Sequence, residues 1–373
     1  MMKARNSRKP QVTIVDVARE LKLAPSTISN ALRGKPVVAK ETRERILAQC
    51  KAMNYVASPI ARALRERCTF TIGVLLPDIA NPIFGDIIKG LDGVMTASGF
   101  ATLLASTEGN KARFLASAQA FSKREVDALV MISQPVGGEE FEHLIEACPP
   151  IILTHRKAVG LDLDYIGMDN FGGGSAAVQH LAALGHQRIG FIEGPEQSSA
   201  AKERLNGYRQ ALQDLILDSD TALICQGNYT LLSGFKAAHH LLSMKKRPTA
   251  ILAANDLMAY AVLDLAAQMG LSVPNDLSVI GFDDIFVSSL PQIALTTIRQ
   301  PASEIGAAIG HRLIERLNSG DCTPCDVVLP TQLVCRASTG PAPRRKGKPS
   351  QFCKQELDAY LHNRWKPTSQ VHP

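Results

Sequence analysis

The 373-residue sequence lacks any long apolar segment, and this absence narrows the class of protein. No apolar run reaches the roughly 18–20 residues that a helix needs to cross a bilayer. The N-terminal residues, MMKARNSRKPQ, are charged, but the apolar segment of a secretory signal does not follow them. We therefore expect a cytoplasmic protein that does not associate with a membrane.

The sequence also lacks the spacings that are typical of metal, redox or nucleotide sites. Cys322 and Cys325 are separated by two residues, but one of these is proline and no second pair follows at a metal-binding spacing. Redox and zinc interpretations are therefore less favoured than reduced thiols for all eight cysteines. The triple glycine 172–174 does not match a dinucleotide loop, and the paired histidines 239–240 do not match a metal site. We expect no cofactor and no metal.

What the sequence does contain is an uneven distribution of charge. The net charge of +6 includes a basic head, residues 1–67, with fifteen Lys and Arg against five Asp and Glu. The tail, residues 341–373, is also basic, with seven Lys and Arg against two Asp and Glu. Residues 68–340 are acidic, with nineteen Lys and Arg against twenty-eight Asp and Glu. A basic head on an acidic body favours an anionic partner, either DNA or a membrane surface, over an ordinary solvated face.

Residues 12–57, which follow a flexible N-terminus of residues 1–11, contain three short helical patterns. A threonine N-cap with an acidic residue in the first turn predicts a helix from Thr13 to about Leu21. Proline at a first helical position predicts a second helix over 25–32, and a third is predicted over 40–53. The apolar residues expected to form a small core are Ile14, Val17, Ala18, Leu21, Leu23, Ile28 and Leu32, with Ile46, Leu47, Cys50 and Met53 sharing one face of the third helix.

From residue 69 the pattern changes to short apolar strands that alternate with amphipathic helices. Strands are predicted at 71–76, 101–105, 128–132, 150–154, 165–168, 188–192, 221–225, 249–254, 277–282 and 294–298, with helices at 84–98, 174–184, 205–215 and 257–269 among those between them. This alternation predicts parallel sheets covered by helices, and the number of strands exceeds one sheet. We expect an α/β core of two similar lobes over 69–340, one of about 69–168 and 299–328 and the other of about 169–298 and 329–340. Residues 58–68 are predicted as a linker, and residues 341–373 as a flexible basic tail.

Residues 12–66 resemble the headpiece and hinge of the LacI/GalR family of bacterial repressors. Further motifs of that family follow in its order and spacing: DNFGGG (169–174), ALGHQRIGFIEGP (183–195), ERLNGY (203–208), AAND (253–256), LSVIGFDD (277–284) and LTTIRQP (295–301). The resemblance covers about residues 12–340. It implies an all-α helix-turn-helix headpiece, a hinge helix, and two lobes like those of periplasmic binding proteins.

A helix-turn-helix places its second helix in the major groove of DNA. The polar residues expected on the exposed face of helix 25–32 are Ser26, Thr27, Ser29 and Asn30. The resemblance implies DNA contacts near Pro25, with Ser26 and Asn30 on bases and Thr13, Thr27, Ser29 and Tyr55 on phosphates. Because asparagine pairs bidentately with adenine, Asn30 is the best candidate for base discrimination. Two departures from the family are Ala24 and Ala39, which stand where relatives often have serine caps.

The hinge resemblance implies that Leu64 enters the DNA minor groove as a wedge. Ala61 is small enough for close approach, and Arg62 and Arg65 can reach phosphates. An ordinary core-facing leucine is the alternative interpretation.

The resemblance also implies an effector cleft beyond the carboxyl ends of the strands. Phe84 and Tyr229 would form aromatic walls, Arg204 and Asp283 polar clamps, and Asn255 a hydrogen-bonding partner. His155 stands where relatives commonly carry aspartate, with Arg156 beside it. Such groups suit polyhydroxylated or heterocyclic ligands, sugars especially. Ordinary surface, turn and core roles are the alternatives for Arg204, Asp283 and Phe84.

We therefore expect a nucleoid-associated, sequence-specific repressor, not an enzyme, that binds a roughly palindromic double-stranded operator and is controlled by a sugar-like effector. The tail lacks the leucine heptads of tetramer-forming relatives, so a homodimer is expected. A periplasmic sugar receptor would need a signal peptide and would not need a DNA-binding headpiece. The sequence shows the reverse, so this interpretation is disfavoured. An enzyme on a Rossmann-like scaffold is disfavoured because no nucleophile–base pair is found.

Overall fold

The computed structural model describes residues 12–55, 63, 66, 68–134, 139–146, 150–158, 160–320 and 323–343. These residues form two compact units, one through Thr71 and one from Ile72 onward. Several predictions lie outside the described residues: those for the N-terminus 1–11, for Ala61, Arg62, Leu64 and Arg65 of the hinge, for Cys322, and for the tail from 344 onward.

The first unit contains the three predicted helices, α1 (Ile14–Leu21), α2 (Pro25–Leu32) and α3 (Lys40–Ala52). The Thr13 hydroxyl accepts a hydrogen bond from the Asp16 backbone N–H (3.3 Å), and the Asp16 carboxylate accepts one from the Thr13 N–H (2.9 Å). This reciprocal capping satisfies two donors that the first helical turn would otherwise leave unpaired. Ala24 and Ala39 occupy the caps of α2 and α3 without a side-chain hydrogen bond.

A small apolar core joins these helices. Its buried members are Val17, Ala18, Leu21, Ile28, Ala31, Val38, Ile46 and Cys50. The prediction that Leu47 shares one face of α3 with Ile46 and Cys50 is wrong, since Leu47 is 47% exposed whereas the other two are buried. Leu47 follows the fully buried Ile46, and one residue rotates a helix position by about 100°, which carries Leu47 out of the packed seam.

The second unit contains two sheets of six strands each. The first sheet has the order β11-β5-β4-β3-β1-β2, and its strands are β1 (Thr71–Leu76), β2 (Ala101–Ser106), β3 (Ala128–Ile132), β4 (Ile151–Thr154), β5 (Asp164–Met168) and β11 (Asp326–Leu329). The second has the order β12-β10-β9-β8-β6-β7, with β6 (Ile189–Ile192), β7 (Ile224–Cys225), β8 (Ala250–Ala253), β9 (Ser278–Asp283), β10 (Thr296–Arg299) and β12 (Gln332–Val334). The β10–β12 pair is antiparallel, and the registers of the β1–β3, β3–β4, β8–β9 and β9–β10 pairs are parallel.

Helices cover the faces of both sheets. They are α4 (Pro82–Ala97), α5 (Lys111–Ser122), α6 (Glu139–Glu146), α7 (Asn170–Ala183), α8 (Ser199–Asp214), α9 (Leu231–Leu242), α10 (Asp256–Gln268) and α11 (Ala302–Ser319). The predicted α/β core with two parallel-stranded lobes is therefore present. Among the described residues, no helix is both long and apolar enough to span a bilayer.

The chain passes between the two sheets three times, after β5, after β10 and after β11. After β10 it returns to the first lobe, where α11 packs closely on α4: a Cβ added to Gly306 would lie 2.0 Å from the Ile87 carbonyl oxygen. Each lobe thus contains segments from distant parts of the sequence, and the loops at the carboxyl ends of the two sheets face each other across a cleft.

One predicted strand is wrong, and two observed strands have no counterpart among the predictions. Residues 221–225 do not form one strand, because Thr221–Leu223 is a short 3₁₀ helix whose N-cap, Asp220, accepts a hydrogen bond from the Ala222 N–H (3.0 Å). Strands β11 and β12 were not predicted, since their partly exposed residues do not form the continuous apolar run of a central parallel strand.

Candidate functional site

A cavity lies in the cleft between the two lobes. The strand ends place several of its walls: His155 follows β4, Asn255 lies just after β8, and Asp283 ends β9. Six predicted residues line this cavity: Phe84, His155, Arg204, Tyr229, Asn255 and Asp283. Arg156 is not among the lining residues, although it is the next residue after His155.

Sequence reasoning missed half of the lining. The missed residues are Asn81, Ile83, Ser133, Ser198, Ala200 and Gln300. Asn81 and Ser198 are N-caps of α4 and α8, so helix-start signals immediately after strand-loop segments could have pointed to them. Gln300 lies in the quoted LTTIRQP motif, but no residue pattern distinguishes it there as a cleft residue.

Arg204 is held rigidly at the base of the cleft, where it is only 3% exposed. Its Nε donates to the Asn170 amide oxygen (2.9 Å), and its Nη1 donates to the Ala254 carbonyl oxygen. The guanidinium carbon lies 3.7 Å from the centre of the Phe282 ring. Since a guanidinium has five N–H donors, these contacts leave donors available for a ligand.

Asp283 is the acidic partner of Arg204, with 3.9 Å between Asp283 Oδ1 and Arg204 Nη1. Its Oδ1 also accepts a hydrogen bond from the Gln300 amide. Burial raises the pKa of the Asp283 carboxyl well above its usual range, against the opposing effect of Arg204. The backbone at Asp283 and Asp284 has φ values of 129° and 58°, a conformation that L-residues rarely adopt and that is typical of functional turns.

His155 is buried against the aromatic wall of the first lobe. Its ring meets the Phe84 ring edge-on, with 5.7 Å between centroids. Burial, followed by the nearby Arg204 and Arg156, lowers the pKa of His155 to about 3. The imidazole is therefore neutral at physiological pH.

Asn255 and Tyr229 support each other on the second lobe. The Asn255 side-chain oxygen caps α10 by accepting from the Met258 N–H (3.0 Å), and its amide nitrogen donates to the Tyr229 carbonyl oxygen (3.1 Å). Both polar ends of Asn255 are thus already bonded within the protein, which makes this residue a support of the cleft. Its oxygen retains a second lone pair that a ligand can use.

Three polar atoms of the cavity lining are buried without a hydrogen-bond partner among the described residues. They are His155 Nε2, the Tyr229 hydroxyl and Gln300 Oε1. Each buried, unsatisfied polar atom costs roughly 1–3 kcal/mol. Their convergence on one cavity indicates that the site is completed by a small polar ligand.

The first unit presents the residues predicted to contact DNA on α2 and beside it. Pro25 and Ser26 are exposed, and Thr27 and Asn30 are half-exposed. The prediction that Ser29 is exposed is wrong: it is 8% exposed, because α2 packs on both α1 and α3 and its buried arc includes Ser29. The role predicted for Ser29 on phosphate remains a prediction.

Two further residues predicted to contact DNA interact with other residues of the headpiece. The Thr13 hydroxyl donates to the Asp16 carboxylate (2.7 Å), and Tyr55 packs against the headpiece core. Sequence reasoning missed Arg33, whose guanidinium donates to the Asn30 amide oxygen (3.4 Å) and lies 4.0 Å from the Glu66 carboxylate. Arg33 therefore orients the residue that we expect to discriminate bases.

Two protein-family models match this chain. That of the bacterial regulatory proteins, lacI family, covers residues 13–58, and that of the periplasmic binding protein-like domain covers residues 178–339. Catabolite control protein A of Priestia megaterium is 31% identical over 88% of this chain and 99% of its own length. The repressor CytR of Escherichia coli is 31% identical over 92% of this chain and 100% of its own length. The chain belongs to the LacI family of transcription regulators.

Solved structures of LacI-family proteins have the same architecture. The lac repressor dimer bound to operator and the anti-inducer ONPF is similar with a TM-score of 0.79 and 26% identity, over 89% of this chain and 100% of that one. The regulator CelR in complex with cellobiose has a TM-score of 0.68 and 28% identity, over 88% of this chain and 100% of that one. The predicted resemblance and fold class are confirmed, and the relatives are regulators of transcription.

Proposed function

We propose that this LacI-family regulator is a cytoplasmic repressor that binds a roughly palindromic operator as a homodimer and is controlled by a polyhydroxylated small molecule in its cleft. The observation that carries the proposal is the set of buried, unpaired polar atoms of His155, Tyr229 and Gln300 around Arg204. Hydroxyl groups of a sugar both donate and accept, so they suit all three. The similar structures with cellobiose and with ribose support this class of ligand. No catalytic role is proposed.

DNA binding is assigned to α2 and the segment after α3. Asn30 and Ser26 would contact bases, with Pro25 beside them, and Thr13, Thr27, Ser29 and Tyr55 would contact phosphates. Leu64 would enter the minor groove as a wedge, Ala61 would allow close approach to the DNA, and Arg62 and Arg65 would contact phosphates. The polar, exposed start of α2 supports this assignment, because side chains near the N-terminus of a recognition helix reach base edges.

Dimer formation is supported by an apolar groove on the second lobe. It is lined by Leu231, Tyr260, Leu263, Val287, Pro291 and Ile293, among others. Phe286, nearby in sequence, is 70% exposed, and Leu290 is 40% exposed. Clusters of exposed apolar side chains on a regulator suit burial against a second copy, and the similar lac repressor structure is a dimer.

An unbiased selection from random duplex DNA by the full-length protein tests this function. We expect enrichment of one roughly palindromic site, whose binding weakens steeply with salt because phosphate contacts release counterions. Asn30→Ala should bind that site about ten- to hundredfold more weakly, since one bidentate base contact contributes about 1–3 kcal/mol, and should bind non-sequence-specific DNA as before. The proposal fails if no sequence is enriched, with or without added sugars.

A further inference from the structure

The turn that follows β9 connects the cleft to the core of the first lobe. Asp283, at the end of β9, lines the cavity, and Ile285 comes two residues later and is buried. Although Ile285 follows a strand of the second sheet, its side chain belongs to the apolar core of the first lobe, together with Ile83 and Phe84 of α4. Phe84 is also a wall of the cavity. The second lobe therefore places a side chain in the same core as a residue that a ligand would contact.

The carboxylate of Asp256 holds this turn in place. Asp256 is the first residue of α10, and its side chain is fully buried. Its Oδ2 accepts hydrogen bonds from the Ile285 backbone N–H (3.0 Å) and from the Ser288 hydroxyl (2.6 Å), and its Oδ1 accepts one from the Thr297 hydroxyl (2.6 Å). Thr297 lies in β10, so one buried side chain ties α10, the turn after β9 and a neighbouring strand together.

The hydrogen bonds to Asp256 are of the strong, charge-assisted kind. Burial raises the pKa of Asp256 to about 6, against the opposing effect of its three donors, so the carboxylate is ionised at pH 7. The Tyr260 hydroxyl lies 2.7 Å from Ser288 Oγ. Because Ser288 donates its proton to Asp256, Tyr260 donates to Ser288. The Tyr260 ring packs against the apolar cores of both lobes, so this chain of donors also ends where the lobes meet.

The residue between Asp283 and Ile285 is held as well. The Asp284 carboxylate lies 2.7 Å from Arg299 Nε and 2.6 Å from Arg336 Nη2. Three consecutive residues therefore have separate partners: Asp283 faces the cleft, Asp284 binds two arginines of the second lobe, and Ile285 enters the core of the first. A ligand that displaces Asp283 acts on a turn whose next two residues are both held, so the displacement has to change one of these contacts. Packed side chains change between discrete arrangements, which makes Ile285 a link between the cleft and the position of the first lobe.

We propose that Ile285 is the anchor through which a ligand in the cleft acts on the arrangement of the two lobes, and that Asp256 is the positioning residue that holds this anchor. This inference rests on the function proposed above, because it assumes that a ligand in the cleft controls DNA binding. Asp256 is not among the residues that line the cavity, so it acts through the turn and needs no contact with the ligand.

Operator binding with and without a sugar probe, cellobiose or ribose, tests the anchor in the full-length protein. The quantity measured is the ratio of the two Kd values for the operator selected above. Ile285→Ala should bring this ratio to within about threefold of one, because the ligand then no longer distinguishes the lobe arrangements. Ile305→Ala is the matched control, since it removes the same atoms from the same core within the first lobe, and it should keep the wild-type ratio. Ile285→Val retains most of the side chain and should also keep it.

The outcomes separate this inference from the proposed function. A wild-type ratio in Ile285→Ala, or an equal loss in Ile305→Ala, overturns the inference and leaves the proposed function intact. A wild type whose operator binding responds to neither sugar counts against the proposed function, and hydrogen exchange then decides the inference alone.

Hydrogen exchange of the full-length protein, which needs no ligand, tests the role of Asp256. Ser288 and Ser278 are both fully buried, but Ser278 lies at the opposite end of β9, where its hydroxyl donates to the Gly340 carbonyl oxygen (3.2 Å). Ser288→Ala removes a donor from Asp256, so the Ile285 amide should exchange about tenfold faster or more. Ser278→Ala removes an equivalent hydroxyl and should leave that amide unchanged. This pair remains informative if Ile285→Ala folds poorly. Unchanged exchange of the Ile285 amide in Ser288→Ala, or equal acceleration in both variants, would refute the role of Asp256.

Discussion

Replacement of Gly207 by alanine tests whether close helix packing positions the arginine of the cleft. A Cβ at Gly207 of α8 would lie 2.0 Å from the Phe171 carbonyl oxygen and 3.0 Å from the Ser175 backbone nitrogen, both in α7. Because these are backbone atoms, the two helices must separate by about 1 Å or more to restore normal contact. Overpacking of this kind costs about 1–3 kcal/mol, and alanine in a helix recovers about 1 kcal/mol. We expect a net destabilisation of up to about 2 kcal/mol.

The separation also reaches the ligand site, since Arg204 lies on α8 and bonds to Asn170 on α7 across 2.9 Å. We expect the melting temperature of the core to fall by up to about 4–8 °C, and the bound sugar probe to lose affinity. Gly93→Ala is the matched control, because no atom lies within 4 Å of a Cβ there and the substitution should leave the melting temperature unchanged or raise it. Calorimetry at fixed protein concentration measures both. Wild-type melting and affinity in Gly207→Ala would show that close packing does not hold Arg204 in place.

Two further substitutions have expected outcomes. Ala24→Ser should stabilise the headpiece by about 0.5–2 kcal/mol, because α2 lacks a side-chain cap, and slower hydrogen exchange of the α2 amides in the full-length protein would show it. His155→Asn should reduce the acid sensitivity of the core. The folded pKa of His155 is about 3, below its ordinary value of 6.5, so its contribution to stability is present above pH 6.5 and is lost as pH falls. Between pH 7 and pH 5 the wild type should lose about 2 kcal/mol more than the variant, and parallel pH profiles in urea unfolding would contradict this.

The strands that sequence could predict are those that are buried on both faces. All five residues of β3, Ala128–Ile132, are buried, and they are apolar in sequence, as expected for the centre of a parallel sheet. The edge strand β11 has exposed Val327 and Val328 beside a charged residue, so it gives no comparable signal. Edge strands are specified by the sheet that they join, and a single sequence does not contain that information.

The site shows the same division between local and long-range information. Arg204, Asp283 and Asn255 lie in motifs that the family resemblance identifies, and the structure brings them together. Gln300 and Ser133 contribute to the same cavity from 167 positions apart, and no local pattern marks either of them. Two supporting contacts could not be predicted from residue identity either. Asn255 caps a helix, and Arg33 donates a hydrogen bond to Asn30; both depend on three-dimensional geometry.

The cleft can control DNA binding only if its ligand distinguishes between arrangements of the two lobes. A ligand with equal affinity for both arrangements shifts neither, however tightly it binds. The cavity walls satisfy this requirement, since Phe84 and His155 belong to the first lobe and Arg204, Tyr229 and Asp283 to the second. A ligand at a concentration of 100 times its Kd adds about 2.7 kcal/mol to the arrangement that it binds, which limits the change in operator affinity to about a hundredfold at that concentration. Strand β1 of the first lobe begins at Thr71, directly after the predicted hinge of residues 58–68, so the chain itself transmits a shift of that lobe to the hinge. An effector that contacted the second lobe alone would leave that connection unused, so control of DNA binding by the cleft requires contacts with first-lobe walls such as Phe84 and His155.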